Sequence, residues 1–154
     1  MILVDGLRTL SIGRGDDVAI AISDRLPADD ATRLAQAITG RLREAGVPRS
    51  QRTWIIATRG DDEAAASTAS AISDHIGGAR LVVHDSREPD GLIFQRRIPG
   101  QRRGGIYLNA AWQSASVRIA CGEPRRVLFG LCGWFNRPAR LRQEDLNADL
   151  VLRD

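Results

Sequence analysis

A chain of 154 residues with 43% hydrophobic and 27% charged residues is long enough for one domain with a sizeable core, and too apolar to stay disordered. No apolar run approaches the roughly 18 residues needed to cross a bilayer, and the start "MILVDGLRTL" lacks the basic-then-apolar order of a secretory leader. The net charge of +3 rests on arginine alone: all 22 basic residues are arginine, so no side-chain amine is present for a Schiff base or an amide tether. Cys121 and Cys132 make neither a disulfide framework nor a paired metal motif, and a reduced cytoplasmic protein is expected.

In chain order, the first fifteen residues suggest an edge hairpin from "ILVDGL" and "TLSIG". "VAIAIS" (18–23) is an apolar strand running into a loop at Asp24 and Pro27. Ala31, Leu34, Ala35, Ile38, Leu42 and Ala45 recur at helical spacing until Gly46 and Pro48 stop the pattern. "TWIIAT" (53–58) is a second strand. Ala65, Ala69, Ile72 and Ile76 mark a second helix closed by Gly77 and Gly78, and "ARLVVH" (79–84) is a third strand. This alternation predicts an α/β fold: an open, mostly parallel, Rossmann-like sheet with helices on both faces. "GLIFQRRIPGQRRGGIYLN" then breaks the rhythm as an inserted β-hairpin turning at Pro99 and Gly100. A short helical piece near Ala110 leads to the strand "SVRIAC" and the stretch "GEPRRVLFGLCGWFNRP". One domain over residues 1–139 and a polar tail over 140–154 are expected.

In an open parallel sheet, ligands bind beyond the carboxyl ends of the strands. That rule selects Asp24 and Arg25 after the first strand, Thr58, Arg59 and Asp61 after the second, and His84 and Asp85 after the third. Glu123 and Arg125 follow the strand beyond the hairpin. Such a mixture suits a small carboxylate or phosphate, because arginine forks grip two oxygens at once. It equally suits solvated loops in which Asp24 and Asp85 cap local turns. His84 and Asp85 are adjacent and do not make a base-and-orienter pair, while His75 near a helix end fits capping better than ligation. Cys121 reads as core, and Cys132 in a Gly-flanked loop reads as a candidate reactive thiol, though without a nearby histidine. No sequence-local set has zinc spacing, and "GRGDD" lacks a following P-loop lysine. Arg96, Arg97, Arg102 and Arg103 make the hairpin basic, but aromatic residues are few, so nucleic acid is not an expected partner and a membrane is not either.

"ARLVVHDSREPDGLIF" followed by "GGIYLNAAWQSASVRIACGEP" resembles the N-terminal domain of the nickel-dependent lactate racemase family. "AISDRLP" is similar to that family's Asp-His-Thr-Arg-Pro loop, and "IIATRGDDE" to its Ala-Thr-Gly-x-His-Arg-Pro loop. The resemblance spans about 17–138 and implies a stand-alone, degenerate member. In that family two histidines act as proton acceptor and donor at a 2-hydroxy acid, and a lysine holds a nickel-pincer nucleotide covalently. Here the resemblance puts Asp61 (or Asp62) and Arg125 where the histidines stand, and Asn136 where the lysine stands. The family's C-terminal domain has no counterpart in the sequence. Racemisation by hydride transfer needs the tethered cofactor and two bases, so neither that activity nor that cofactor, nor any other, is expected of this chain alone.

Three functions follow. The first is a non-catalytic accessory module binding a small anion through Arg25, Arg59 and Arg125. The second is an interaction protein, as a homodimer or with a separately encoded C-terminal domain, using Trp134 and Phe135 as anchors; those two aromatics equally suit core filling. The third is an enzyme of altered chemistry using Asp24, Asp61, His84 or Glu123.

Overall fold

The computed structural model describes residues 4–101, 104–137 and 140–153. The strand β1 (Val18–Ser23) lies at the centre of a five-stranded parallel sheet. On one side it pairs with β2 (Arg52–Ala57), which pairs with β3 (Arg80–Val83). On the other side it pairs with β6 (Val117–Cys121), which pairs with β7 (Leu150–Leu152). A separate antiparallel ribbon, β4 (Leu92–Arg97) and β5 (Gly105–Asn109), is the expected hairpin.

Alternation along the strands decides which helices cover which face. Val18, Ile20, Ile22, Trp54, Ile56 and Ile119 point to one side and meet Leu34, Ile38 and Leu42 of α2 (Ala28–Glu44) and Ala65 and Ile72 of α3 (Asp62–Ile72). The residues between them, Ala19, Ala21, Ile55, Ala57 and Ala120, face α4 (Ala110–Ser114), α5 (Pro124–Leu131) and the inner side of the ribbon. The first face holds large side chains and the second mostly alanine, so α5 rides close to the sheet. A β-carbon on Gly130 would fall 2.5 Å from the backbone carbon of Ala57. This glycine therefore serves close helix–sheet contact.

Three expectations are corrected. The chain start is not an edge hairpin: residues 1–3 lie outside the described part, and α1 (Gly6–Thr9) is one helical turn that buries Leu7. The second helix leaves α-geometry at Ile72 and continues as a 3-10 turn, Ser73–His75, before Ile76 enters the core. Residues 140–153 are not a polar tail. Leu141, Leu146 and Leu152 are buried, β7 extends the main sheet, and the indole Nε1 of Trp112 donates to the Leu146 carbonyl at 2.9 Å. Single leucines set among charged residues bury well but leave the local mean hydropathy low, which hides a three-residue strand.

The ribbon also differs in detail from a solvated basic hairpin. A register shift between Phe94 and Arg96 turns Arg96 inward, where its Nη2 donates to the buried carboxylate of Asp145 at 2.8 Å. Arg97 is exposed, whereas Arg102 and Arg103 lie outside the described residues. Among the described residues no helix is long and apolar enough to cross a membrane.

Candidate functional site

Strand order reverses at β1: the chain moves outward to β2 and β3, then returns to the other side for β6 and β7. Loops leaving β1 and β6 diverge there and open a crevice at the carboxyl ends. A cavity of about 460 Å³ occupies this switch point, lined by Arg25, Pro27, Glu123, Arg126 and Arg153. A smaller one of about 190 Å³ adjoins it between Arg25, Arg59, Asp61 and Arg126. A third, about 760 Å³, lies over the ends of β2 and β3 against Thr58, Arg59, His84, Arg87 and Trp134. Arg25, Arg126 and Arg59 are shared between neighbouring cavities, so the three form one trough along the strand ends.

The carboxylates around this trough mostly hold loops and helix ends. Asp61 caps α3 by accepting from the Ala64 amide at 3.0 Å, and Glu123 caps α5 by accepting from the amides of Arg125 and Arg126 at 3.2 and 3.0 Å. Asp85 accepts from the amide and Nε of Arg87 at 2.9 and 3.0 Å, and that guanidinium holds its carboxyl below the usual carboxylate range. Asp24 and Asp61 lie 3.6 and 3.4 Å from the exposed guanidinium of Arg25, long contacts that orient more than they stabilise.

His84 is fixed from both sides. The Asn109 side chain caps α4, its Oδ1 accepting from the Trp112 amide at 3.2 Å, so its Nδ2 faces His84 Nδ1 at 3.0 Å. The donor there requires an unprotonated Nδ1, which leaves the proton on Nε2 to donate to the Cys132 carbonyl at 2.9 Å. Burial lowers the pKa of this ring, against the raising effect of that carbonyl and of Asp85, and the ring is 3% exposed. His84 therefore ties β3, β5 and the segment after α5 together, and it offers no free nitrogen to a ligand.

The segment 132–136 continues this wall. Cys132 bridges to Leu108, and the Gly133 amide donates to the Tyr107 carbonyl at 3.2 Å. The buried amide of Asn136 donates to the Gly105 carbonyl at 2.8 Å and accepts from the Tyr107 amide at 3.2 Å, acting as a third strand on the free edge of β5. Cys132 is not a reactive thiol: burial pushes its pKa up to about 12 and its Sγ donates to the Leu128 carbonyl. Cys121 is buried as expected and its pKa is likewise raised.

Three positions then stand out. Thr58, 3% exposed at the end of β2, lines the largest of these three cavities, and among the described residues its hydroxyl has no hydrogen-bond partner. Arg59 and Arg126 line the trough with no carboxylate in ion-pair range among the described residues; the Nη atoms of Arg59 lie 3.4 Å from the carbonyls of Trp134 and Asn136. Arg125 does not join them: it is exposed on the flank of α5, its guanidinium 5.3 Å from the Phe129 ring. Arg125 and Arg126 are both exposed, but only Arg126, about a hundred degrees around the helix from its neighbour, lines the switch-point cavities. Trp134 and Phe135 are 65% and 48% exposed, which excludes core filling. Among the described residues no group of three or more His, Cys, Asp and Glu side chains is placed to hold a metal ion.

No protein-family model matches the chain, and neither does any curated protein. Among solved structures it is similar to the lactate racemase apoprotein from Thermoanaerobacterium thermosaccharolyticum, with a TM-score of 0.59 and 18% identity over 78% of this chain. The chain spans 32% of the length of that structure. At this identity the likeness is one of fold.

Proposed function

We propose that this chain is a non-catalytic accessory module that binds a small carboxylate or phosphate in the trough at its strand ends. The observation that carries this reading is the buried, unpartnered hydroxyl of Thr58 at the floor of a cavity whose rim holds Arg59. An unmet donor beside a guanidinium without a carboxylate partner is what an anion's oxygens would satisfy. Arg126 supplies a second cation at the switch point.

Racemase chemistry forms no part of this reading. The fold likeness raises the question of a tethered nickel nucleotide, and the residues present do not fit one. No lysine exists, and the Asn136 amide is engaged with the backbone of β5 at the position the sequence resemblance gives to the tether. Arg125, permanently protonated and exposed, cannot act as a base.

Thermal melting at constant ionic strength with lactate, other 2-hydroxy carboxylates and inorganic phosphate tests the reading. A rise in Tm with at least one of them, abolished in Arg59→Gln, is expected; no response to any carboxylate or phosphate overturns it. A second reading, as an interaction protein, is favoured by the exposed chain of edge-to-face rings Phe94, Tyr107, Phe135 and Trp134. It requires a dimer or a captured C-terminal domain that Trp134→Ala disrupts, and a wild-type monomer by sedimentation excludes the homodimer.

A further inference from the structure

The opposite end of the sheet carries a second concentration of positive charge. Arg52 is the first residue of β2 and is only 6% exposed. Its Nε and Nη2 both donate to the Val47 carbonyl, at 3.0 and 2.5 Å, which fixes the guanidinium in the loop between α2 and β2. Its remaining nitrogen, Nη1, points toward the Gly77–Gly78 turn that precedes β3. A β-carbon on Gly77 would fall 3.7 Å from that Nη1 and 3.0 Å from the Nη2 of Arg43. A β-carbon on Gly78 would fall 3.5 Å from the Nη1 of Arg49. Three guanidinium groups thus converge on two adjacent glycines, both in left-handed backbone at φ 65 and 76.

Among the described residues no carboxylate lies in ion-pair range of Arg43, Arg49 or Arg52. The arrangement carries a cost: burial and the charge of Arg43 both lower the pKa of Arg52, so these two cations repel each other in the folded state. Elsewhere in the molecule a buried charge is matched, as Asp145 is by Arg96. A buried cation crowded by like charge and without a counter-charge is unfavourable unless an anion completes it.

The number of forks selects the anion. A carboxylate has two oxygens and accepts one guanidinium face well, whereas a tetrahedral phosphate presents oxygens in several directions to three donors, with a charge near −2 to balance them. A β-carbon on Gly77 would press on the Arg43 guanidinium, and the positive φ of both glycines disfavours a side chain at the turn.

We infer that Arg43, Arg49 and Arg52, gathered around the Gly77–Gly78 turn, form a phosphate-binding site at the amino-terminal end of the sheet. It is independent of the trough, which lies at the other end of the same strands. The phosphate is either free in solution or the terminal group of a phosphate monoester.

Backbone amide resonances in a labelled sample separate the two ends of the sheet. Inorganic phosphate is titrated against chloride at constant ionic strength, with Gly77 and Gly78 reporting this site and Gly60 and Gly122 the trough. Saturable shifts at Gly77 and Gly78, weakened about tenfold or more in Arg43→Gln and in Arg49→Gln, are expected. Shifts confined to Gly60 and Gly122, or none at Gly77 and Gly78 through about 10 mM phosphate, overturn the proposal. A nucleoside monophosphate in place of phosphate identifies the source: tighter binding means a monoester, equal binding free phosphate. Melting gives a second readout. Without phosphate, Arg43→Gln melts at or above the wild-type temperature because it removes repulsion on Arg52, and with phosphate the order reverses. A variant less stable than wild type under both conditions marks Arg43 as merely structural and sinks the inference.

Discussion

The back wall of the trough and its rim contain the same kinds of residue in opposite states. On the wall, His84, Asn109 and Asn136 are buried and their ring nitrogens and amides are bonded to backbone or to one another. On the rim, Arg25 and Arg59 are exposed, and the polar contacts of their guanidinium groups among the described residues are long, at 3.4 Å and beyond. Polar groups that are buried and fully satisfied specify assembly; charged groups that are exposed and loosely held remain available to a ligand. Position at a strand end selects both alike, and only the hydrogen bonds separate them.

The largest break in this contrast comes from beneath the wall. Gly130→Ala gains about 1 kcal/mol of helix propensity. It also forces a methyl group to within 2.8 Å of the Ala57 carbonyl oxygen, a backbone atom that cannot turn aside. Urea denaturation is expected to show a net loss of about 3 kcal/mol or more. Asn136→Ala comes next: it leaves the Tyr107 amide and the Gly105 carbonyl without partners and costs about 2–3 kcal/mol in the same measurement.

A smaller effect appears on acidification. His84 is held neutral, with its pKa below the ordinary value of about 6.5. The unfolded chain therefore binds more protons than the folded one over this window. The contribution of His84 is complete above about pH 6.5 and is lost as the pH falls from there toward its lowered folded value. Between pH 7.5 and pH 5 the urea midpoint of the wild type should drop further than that of His84→Gln. Equal drops would mean that the ring does not titrate against the fold. At the rim, Arg59→Gln should change stability by no more than about 0.5 kcal/mol while abolishing the anion response; a larger loss would move Arg59 from the rim to the wall.

Much of this architecture could be read from the chain. The α2 stripe from Ala31 to Leu42 and the strands β1 and β2 follow directly from period and punctuation, because their partners are close in sequence. The candidate trough was legible where one rule applies to one residue: the strand-end rule selects Thr58 and Arg59 without knowledge of their surroundings. The state of His84 was not, since its two partners lie 25 and 48 residues downstream on other elements. Asn136 escaped for the same reason, and its role depends on a free edge of β5 that no local pattern announces. Arg125 and Arg126 are exposed neighbours in the first turn of α5, and only the position of the cavities separates them.

The central position of β1 has a consequence in time. Its pairing with β2 closes a loop made mostly of α2, whereas its pairing with β6 joins Val18 to Val117 across most of the chain. Latches from Asp17 to Ser116 hold that distant seam, over separations of 99 residues. Loop-closure entropy favours the nearer contact, so the β1–β2 half, with α2 between its strands, is the half that assembles early, and the seam to β6 closes late. The switch-point crevice is bounded on one side by β6. The strand ends that frame it are therefore brought together only when β6 joins β1, so the switch-point crevice forms later than the β1–β2 half.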